Sequence, residues 1–240
     1  MNYTDYIKGV SFRFIGPKNY FKGFSLISRW LNKFNISLEI LNTSLPGNKR
    51  EMVKNLKELL EIPRMSTFAI GALINRAVFE MEEKYCFLNI GVWHGFSFLS
   101  GLKGNETKRC IGVDNFSQFG GPRKQFVERF DKYKSSNHHF YDIDYKDYLL
   151  NVHSVKIGFY IYDGDHDYEN QLNGLKIAEP FFAKNCIILI DDTNADEPRR
   201  ATLDFIKESS HHYEILLDET TPFNKHPTFW NGIMIFKKLD

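Results

Sequence analysis

Cysteine is scarce: Cys86, Cys110 and Cys186 are the whole complement of a 240-residue chain. An odd number of cysteines, with no paired Cys/His spacing, argues against a disulfide framework and a structural zinc. Each falls at the start of an apolar run, where a free thiol behaves as a small hydrophobe. No basic segment followed by an apolar run opens the chain, so a secretory leader is not expected and a cytoplasmic location is. No stretch approaches the roughly 18 uncharged apolar residues of a membrane span. Neither sign of charge prevails, since 31 basic and 30 acidic side chains leave a net charge of +1. That balance offers no footprint for nucleic acid and no basic tail for a membrane surface. Internal repeats, low-complexity tracts, a Gly-x-Ser-x-Gly elbow and a Walker-type loop are all missing. Hydrolase-triad and nucleotide-triphosphatase readings therefore have no support.

What the chain does have is apolar material. It is 42% hydrophobic with 22 Phe and 12 Tyr, enough for one large domain or a core with an appendage. The rhythm changes near residue 82. Before it the chain leans helical and irregular, with apolar positions at helical spacing over 49–60 and 66–82 and a break at Pro63. After it, short apolar runs at 86–90, 110–113, 139–143, 157–162 and 186–190 alternate with helical segments at 96–103, 122–134, 145–151 and 168–182. Strands apolar on both faces and separated by helices predict βαβ units and a parallel sheet covered on both sides. A helix at about 197–209 precedes two late strands, 212–217 and 232–236, joined by a loop without a helix. They read as an antiparallel hairpin at the sheet edge. The expected architecture is α/β: a doubly wound, Rossmann-like sheet over 83–240 with a helical extension over 1–82.

Candidate chemistry sits at the strand ends. Asn89-Ile90-Gly91-Val92-Trp93-His94-Gly95-Phe96-Ser97 follows the first run and opens a helix. Glycines there let backbone approach a ligand, and the helix start offers free N–H groups. Asp114 ends the next run, where a carboxylate accepts ribose hydroxyls. To this point any nucleoside-containing cofactor fits. Asp144, after the third run, is placed for the adenine end or for capping the next helix. Tyr162-Asp163-Gly164-Asp165-His166-Asp167-Tyr168 and Ile190-Asp191-Asp192-Thr193 are apolar strands ending abruptly in carboxylates. If those strands are neighbours, Asp163, Asp191 and Asp192 converge and call for a hard divalent cation such as Mg²⁺. His166, embedded in that rim, is suited to general-base work. A cation beside it is expected to hold its pKa below the ordinary value of about 6.5.

From about residue 85 to 238 the sequence resembles class I S-adenosylmethionine-dependent methyltransferases. Within that class it is similar to small-molecule O-methyltransferases of the macrocin and cephalosporin-hydroxylase type. The glycine-loop pattern, the Asp163-Gly164-Asp165-His166-Asp167-Tyr168 signature, the Asp191-Asp192-Thr193 ending and the closing Trp230-Asn231-Gly232-Ile233 carry the likeness. It implies S-adenosylmethionine as cofactor, held by Asn89, Gly91, Trp93, His94, Gly95, Ser97, Asp114, Asp144 and Asp163. It also implies Mg²⁺ or another divalent cation at Asp163, Asp191 and Asp192, with His166 as catalytic base. The partner would be a small molecule with a hydroxyl that accepts the methyl group.

Two positions depart from the pattern. Asn89 stands where an acidic residue usually opens the first motif, and Lys184-Asn185 replace a Gly-Gly turn; asparagine tolerates the left-handed geometry required there. Residues 1–82 match nothing in the family and would serve as a substrate lid or a homo-oligomer contact. Competing readings are a nicotinamide-dependent oxidoreductase, which the absent Gly-x-Gly-x-x-Gly spacing disfavours, and a non-catalytic nucleoside-binding protein.

Overall fold

The computed structural model describes residues 1–20 and 23–240. The N-terminal part holds α1 (Tyr3–Gly9), β1 (Ser11–Phe12), α2 (Phe24–Asn32), α3 (Leu38–Asn42), β2 (Thr43–Ser44), α4 (Lys49–Leu56) and α5 (Phe68–Glu80). Alternation then begins with β3 (Cys86–Ile90), α6 (Phe96–Leu102), β4 (Arg109–Val113), α7 (Arg123–Tyr133), β5 (His138–Tyr141) and α8 (Tyr145–Asn151). It closes with β6 (Ile157–Tyr162), α9 (Tyr168–Ala178), β7 (Phe182–Asp191), α10 (Asp196–Glu208), β8 (Tyr213–Glu219) and β9 (Ile233–Lys238).

The main sheet has the order β5-β4-β3-β6-β7-β9-β8. β5, β4, β3, β6 and β7 pair in parallel, and β9 pairs antiparallel with both β7 and β8. The predicted doubly wound sheet with an antiparallel edge hairpin is therefore present. Side chains of successive strand residues feed opposite layers, as the pleat requires. Phe87, Phe159 and Ile161 pack with α5, α6 and α7 in one cluster. Leu88, Tyr160 and Tyr162 pack with α8, α9 and α10 in the other. All three cysteines are free and fully buried.

Boundaries shift where local chemistry dictates. α9 stops at Ala178 because Pro180 cannot continue the ladder, and a short 3₁₀ turn over Glu179–Phe181 leads into a β7 longer than expected. Asn185, within β7, takes φ +62°, the left-handed geometry expected of it. The pairing of β1 with β2 was not legible in the sequence. It is held by Asn42, fully buried, whose Oδ1 accepts the N–H groups of Phe14 and Ile15 and whose Nδ2 donates to the Ile15 carbonyl.

The extension is not a detached appendage. α1, α4 and α5 share the cluster that covers β3 and α6. Lys18 pairs with Glu219, the Asn19 carbonyl faces His226 Nε2 at 3.0 Å, and the Thr67 hydroxyl donates to the Thr228 carbonyl. The N-terminal part is thus tied to the β8–β9 connection. In an open parallel sheet, ligands bind outside the carboxyl ends of the strands, where the strand order reverses. Here that point is at β3, between β4 and β6.

Candidate active site

The turn after β3 is shaped by residues that L side chains resist. Gly91 has φ +77°, and a Cβ there would overlap the Asp163 carbonyl at the end of β6. Only glycine lets the two strand ends pass so closely. Gly95, at φ +101°, starts α6 against Leu99 and Phe126. Asp114, at the end of β4, pins the turn: its Oδ2 accepts the Val92 and Trp93 N–H groups at 2.8 Å each, and its Oδ1 accepts that of Phe116 at 2.7 Å. Trp93, Phe116, Phe119 and Asp192 all adopt left-handed backbone at the rim of one crevice. Such strain in non-glycine residues gathers where function requires a particular geometry.

The crevice has a volume of about 420 Å³, within the roughly 300–1,000 Å³ of small-molecule sites. Of the residues expected to hold a cofactor, Gly91, Trp93, Ser97, Asp114, Asp144 and Asp163 line it. Asp144 also caps α8, accepting the Lys146 N–H at 2.8 Å. Asn89, His94 and Gly95 are not among its lining residues. Asn89 is fully buried beneath the turn and donates to the Ile90 and Gly91 carbonyls at 3.2 and 2.7 Å. It braces the turn from below. His94 turns to α7, with Nδ1 3.1 Å from Arg129 Nη1; burial and the guanidinium hold its pKa below the ordinary value.

β6 and β7 are neighbours, and their carboxylates do converge. His166 Nε2 lies 3.5 Å from both Asp163 Oδ1 and Asp191 Oδ1. One ligand atom from each of Asp163, His166 and Asp191 falls within 4.8 Å of the others. Asp192 lines the crevice but stands outside this trio, so His166 occupies the third place that the sequence had suggested for Asp192. On the far side of the ring, Nδ1 faces Gln171 Oε1 at 3.2 Å.

Both ring nitrogens of His166 therefore face acceptors. Burial, the largest single influence, pulls its pKa down, but the Asp191, Asp163 and Asp192 carboxylates together push it up to about 10. The expected lowering belongs to the ring beside a bound cation; the carboxylates by themselves act in the opposite sense. Burial and the neighbouring Asp163 carboxylate likewise raise Asp191, against the opposing pull of His166. Asp192 is raised chiefly by burial. Burial and mutual repulsion thus both disfavour charge on the carboxylates, while the imidazole between them is held charged. Asp191 Oδ1 is moreover buried without a hydrogen-bond partner. An orphaned carboxylate oxygen in a cluster of oxygen and imidazole donors fits a divalent cation such as Mg²⁺ or Mn²⁺.

Several residues in or behind the crevice wall carried no signal in the sequence. Gln171 is five positions past His166, on the first turn of α9, and reads as any helix-surface glutamine. Arg64, Met65 and Ser66 come from the extension and complete one wall. Gln118 donates to Asp165 across the crevice at 3.1 Å.

The family model described as "Methyltransferase domain" matches residues 88–193. That span runs from β3 to the residue after the Asp191-Asp192 pair. No curated protein matches the sequence. Solved structures resemble it at low identity. The S-adenosylhomocysteine-bound methyltransferase PaMTH1 of Podospora anserina is 15% identical, with a TM-score of 0.58 over 94% of this chain and 100% of that one. A Klebsiella pneumoniae protein provisionally assigned as an O-methyltransferase is 14% identical, with a TM-score of 0.57 over 90% and 97%. A Staphylococcus aureus protein provisionally assigned as a caffeoyl-CoA O-methyltransferase is 11% identical, with a TM-score of 0.55 over 89% and 99%. At these identities the likeness is one of fold: a Rossmann-like methyltransferase fold.

Proposed function

We propose that this chain is an S-adenosylmethionine-dependent methyltransferase that methylates a hydroxyl of a small molecule, with assistance from a divalent cation. One coincidence carries the reading. The stretch that matches a methyltransferase domain is the stretch whose strand ends build the crevice, with the Asp114-pinned turn on one side and the Asp163–His166–Asp191 trio on the other.

S-adenosylmethionine supplies an electrophilic methyl group when bound, so what remains for the protein is chiefly alignment and proton management. The turn at Gly91 allows backbone to approach the cofactor. Asp114 keeps lone pairs beyond its three backbone bonds and would accept ribose hydroxyls. Asp163 and Asp191, with Asp192 beside them, would hold the cation, whose charge lowers the pKa of an oxygen it polarises.

His166 is the proposed base, and it works in its neutral form. The Gln171 carbonyl oxygen favours a proton on Nδ1, which leaves the Nε2 lone pair facing the rim and the acceptor. Neutralising Asp163 and Asp191 removes the attraction that otherwise keeps Nε2 protonated. Calorimetry with S-adenosylmethionine and with NAD, each with and without Mg²⁺, tests the reading. Binding of S-adenosylmethionine alone supports it. A preference for NAD, or binding of neither, overturns it.

A further inference from the structure

The net charge of +1 conceals a segregation. Between Asp5 and Glu39 there are six basic residues and no acidic one, so the rest of the chain is net acidic. Within this stretch lies α2, and the described side chains of α2 and of the turn after it leave a row of large apolar groups in water. Leu26 is 70% exposed, Trp30 59% and Phe34 60%, with Ile27 beside them. Leu26, Ile27 and Trp30 share one face of α2, and Phe34, in the turn just past the helix, meets the Trp30 ring edge to face at 5.3 Å. A contiguous exposed face of this kind marks an interaction surface.

We propose that this face docks on an anionic lipid bilayer. An amphipathic helix with Trp and Leu on one side, set in a basic segment with Lys33 just past its end, lies in the headgroup plane, its apolar face in the acyl boundary and the cations of the segment on the lipid phosphates. The charge decides among occupants. A two-fold dimer through this face would press two strongly basic segments together, which like-charge repulsion opposes. Nucleic acid would use the cations and leave the apolar row unburied.

The position of the helix gives the docking a consequence. α2 packs on α3, and Glu39 of α3 binds Arg64 Nη2 and the Phe68 N–H at 2.8 Å each. Arg64 to Ser66 form a wall of the crevice, so α2 is linked to that wall through Glu39 of α3. The inference stands whether or not the chain transfers methyl groups.

Co-sedimentation of the whole protein with vesicles tests it, using phosphatidylcholine alone and phosphatidylcholine doped with phosphatidylglycerol. The wild type is expected to bind the anionic vesicles, to ignore the neutral ones, and to be released by salt. Lys33→Glu should weaken binding at least fivefold, since one cation near such a surface contributes about 1 kcal/mol. The triple variant Leu26→Ser, Trp30→Ser, Phe34→Ser should abolish it while keeping its circular dichroism spectrum. If the triple variant fails to fold, the salt and Lys33→Glu arms decide. Failure to bind anionic vesicles overturns the proposal, and so does equal binding by the folded triple variant. A dimer that this variant converts to monomer would assign the face to a second copy of the chain and overturn the proposal.

Discussion

Gly91 and Asp163 meet backbone to backbone where β3 and β6 end, with no room for a side chain between them. That contact joins the glycine turn to the carboxylate rim, so the Asp114-pinned turn and the Asp163–His166–Asp191 trio share one rigid seam. Gly91→Ala should be severe: the left-handed φ alone costs about 1–3 kcal/mol, and the overlap adds to it. Gly120→Ala is the control, for it has a similar φ of +79° but open space around it. It should lose only about 1 kcal/mol. Thermal melts of both variants check the contrast, and equal losses would show that the seam is looser than the structure has it.

Asp114 should govern cofactor binding. Asp114→Ala leaves the Val92, Trp93 and Phe116 N–H groups without their acceptor and removes the proposed ribose contact. Affinity for S-adenosylmethionine should fall by roughly 2–3 kcal/mol, the range for charged hydrogen bonds. Calorimetry on the folded variant measures it, and unchanged affinity would place the ribose elsewhere.

Chelation should abolish turnover and leave the far-ultraviolet dichroism in place, because the rim lies outside both hydrophobic clusters. Added Mg²⁺ should restore activity. Full turnover in excess chelator would remove the cation from the proposed reaction.

His166→Ala should lower kcat by roughly 10²–10⁴-fold, the worth of a positioned base, with little change in S-adenosylmethionine affinity. Since the residue sits within ligand distance of Asp163 and Asp191, Mg²⁺ affinity should be measured too. Retained affinity with lost turnover marks a base; affinity lost together with turnover would make the histidine a metal ligand instead.

The pH dependence of stability follows from the same cluster. In chelator the folded His166 has a pKa raised to about 10, against about 6.5 when unfolded. A raised folded pKa means stability that is complete below about 6.5 and lost as pH climbs through 10. Melting temperature in chelator should decline across that window, and His166→Gln should flatten the decline. Asp191 and Asp192, also raised, act with the same sign at lower pH. A wild-type melting temperature that is flat from pH 6.5 to 10 would contradict the buried ion cluster.

What the sequence determined by itself is what local pattern can encode. Apolar runs that both faces of a sheet can bury, helical spacing between them, glycines at Gly91 and Gly95, and carboxylates at Asp114, Asp163 and Asp191 are each readable within a dozen residues. Strand order does not follow from the βαβ rhythm alone: the meeting of Asp163 with Asp191 was conditional on β6 and β7 being neighbours, which the sheet supplies. Only the tertiary structure decided how those residues are used. Asn89 lies on an apolar strand whichever way its amide turns, and packing sends it beneath the loop rather than into the crevice. His166 joined Asp163 and Asp191 while Asp192, at φ +53°, left the strand direction and the trio. The pKa of His166 depends on charges and burial supplied by β7 and α9, distant in sequence. The extension matched no pattern because its role comes from contacts across the fold: Arg64 in the crevice wall, and Asn19 and Thr67 on the β8–β9 connection. Periodicity reports which way a side chain faces on its own element, and only the packed sheet sets which side chain it finds there.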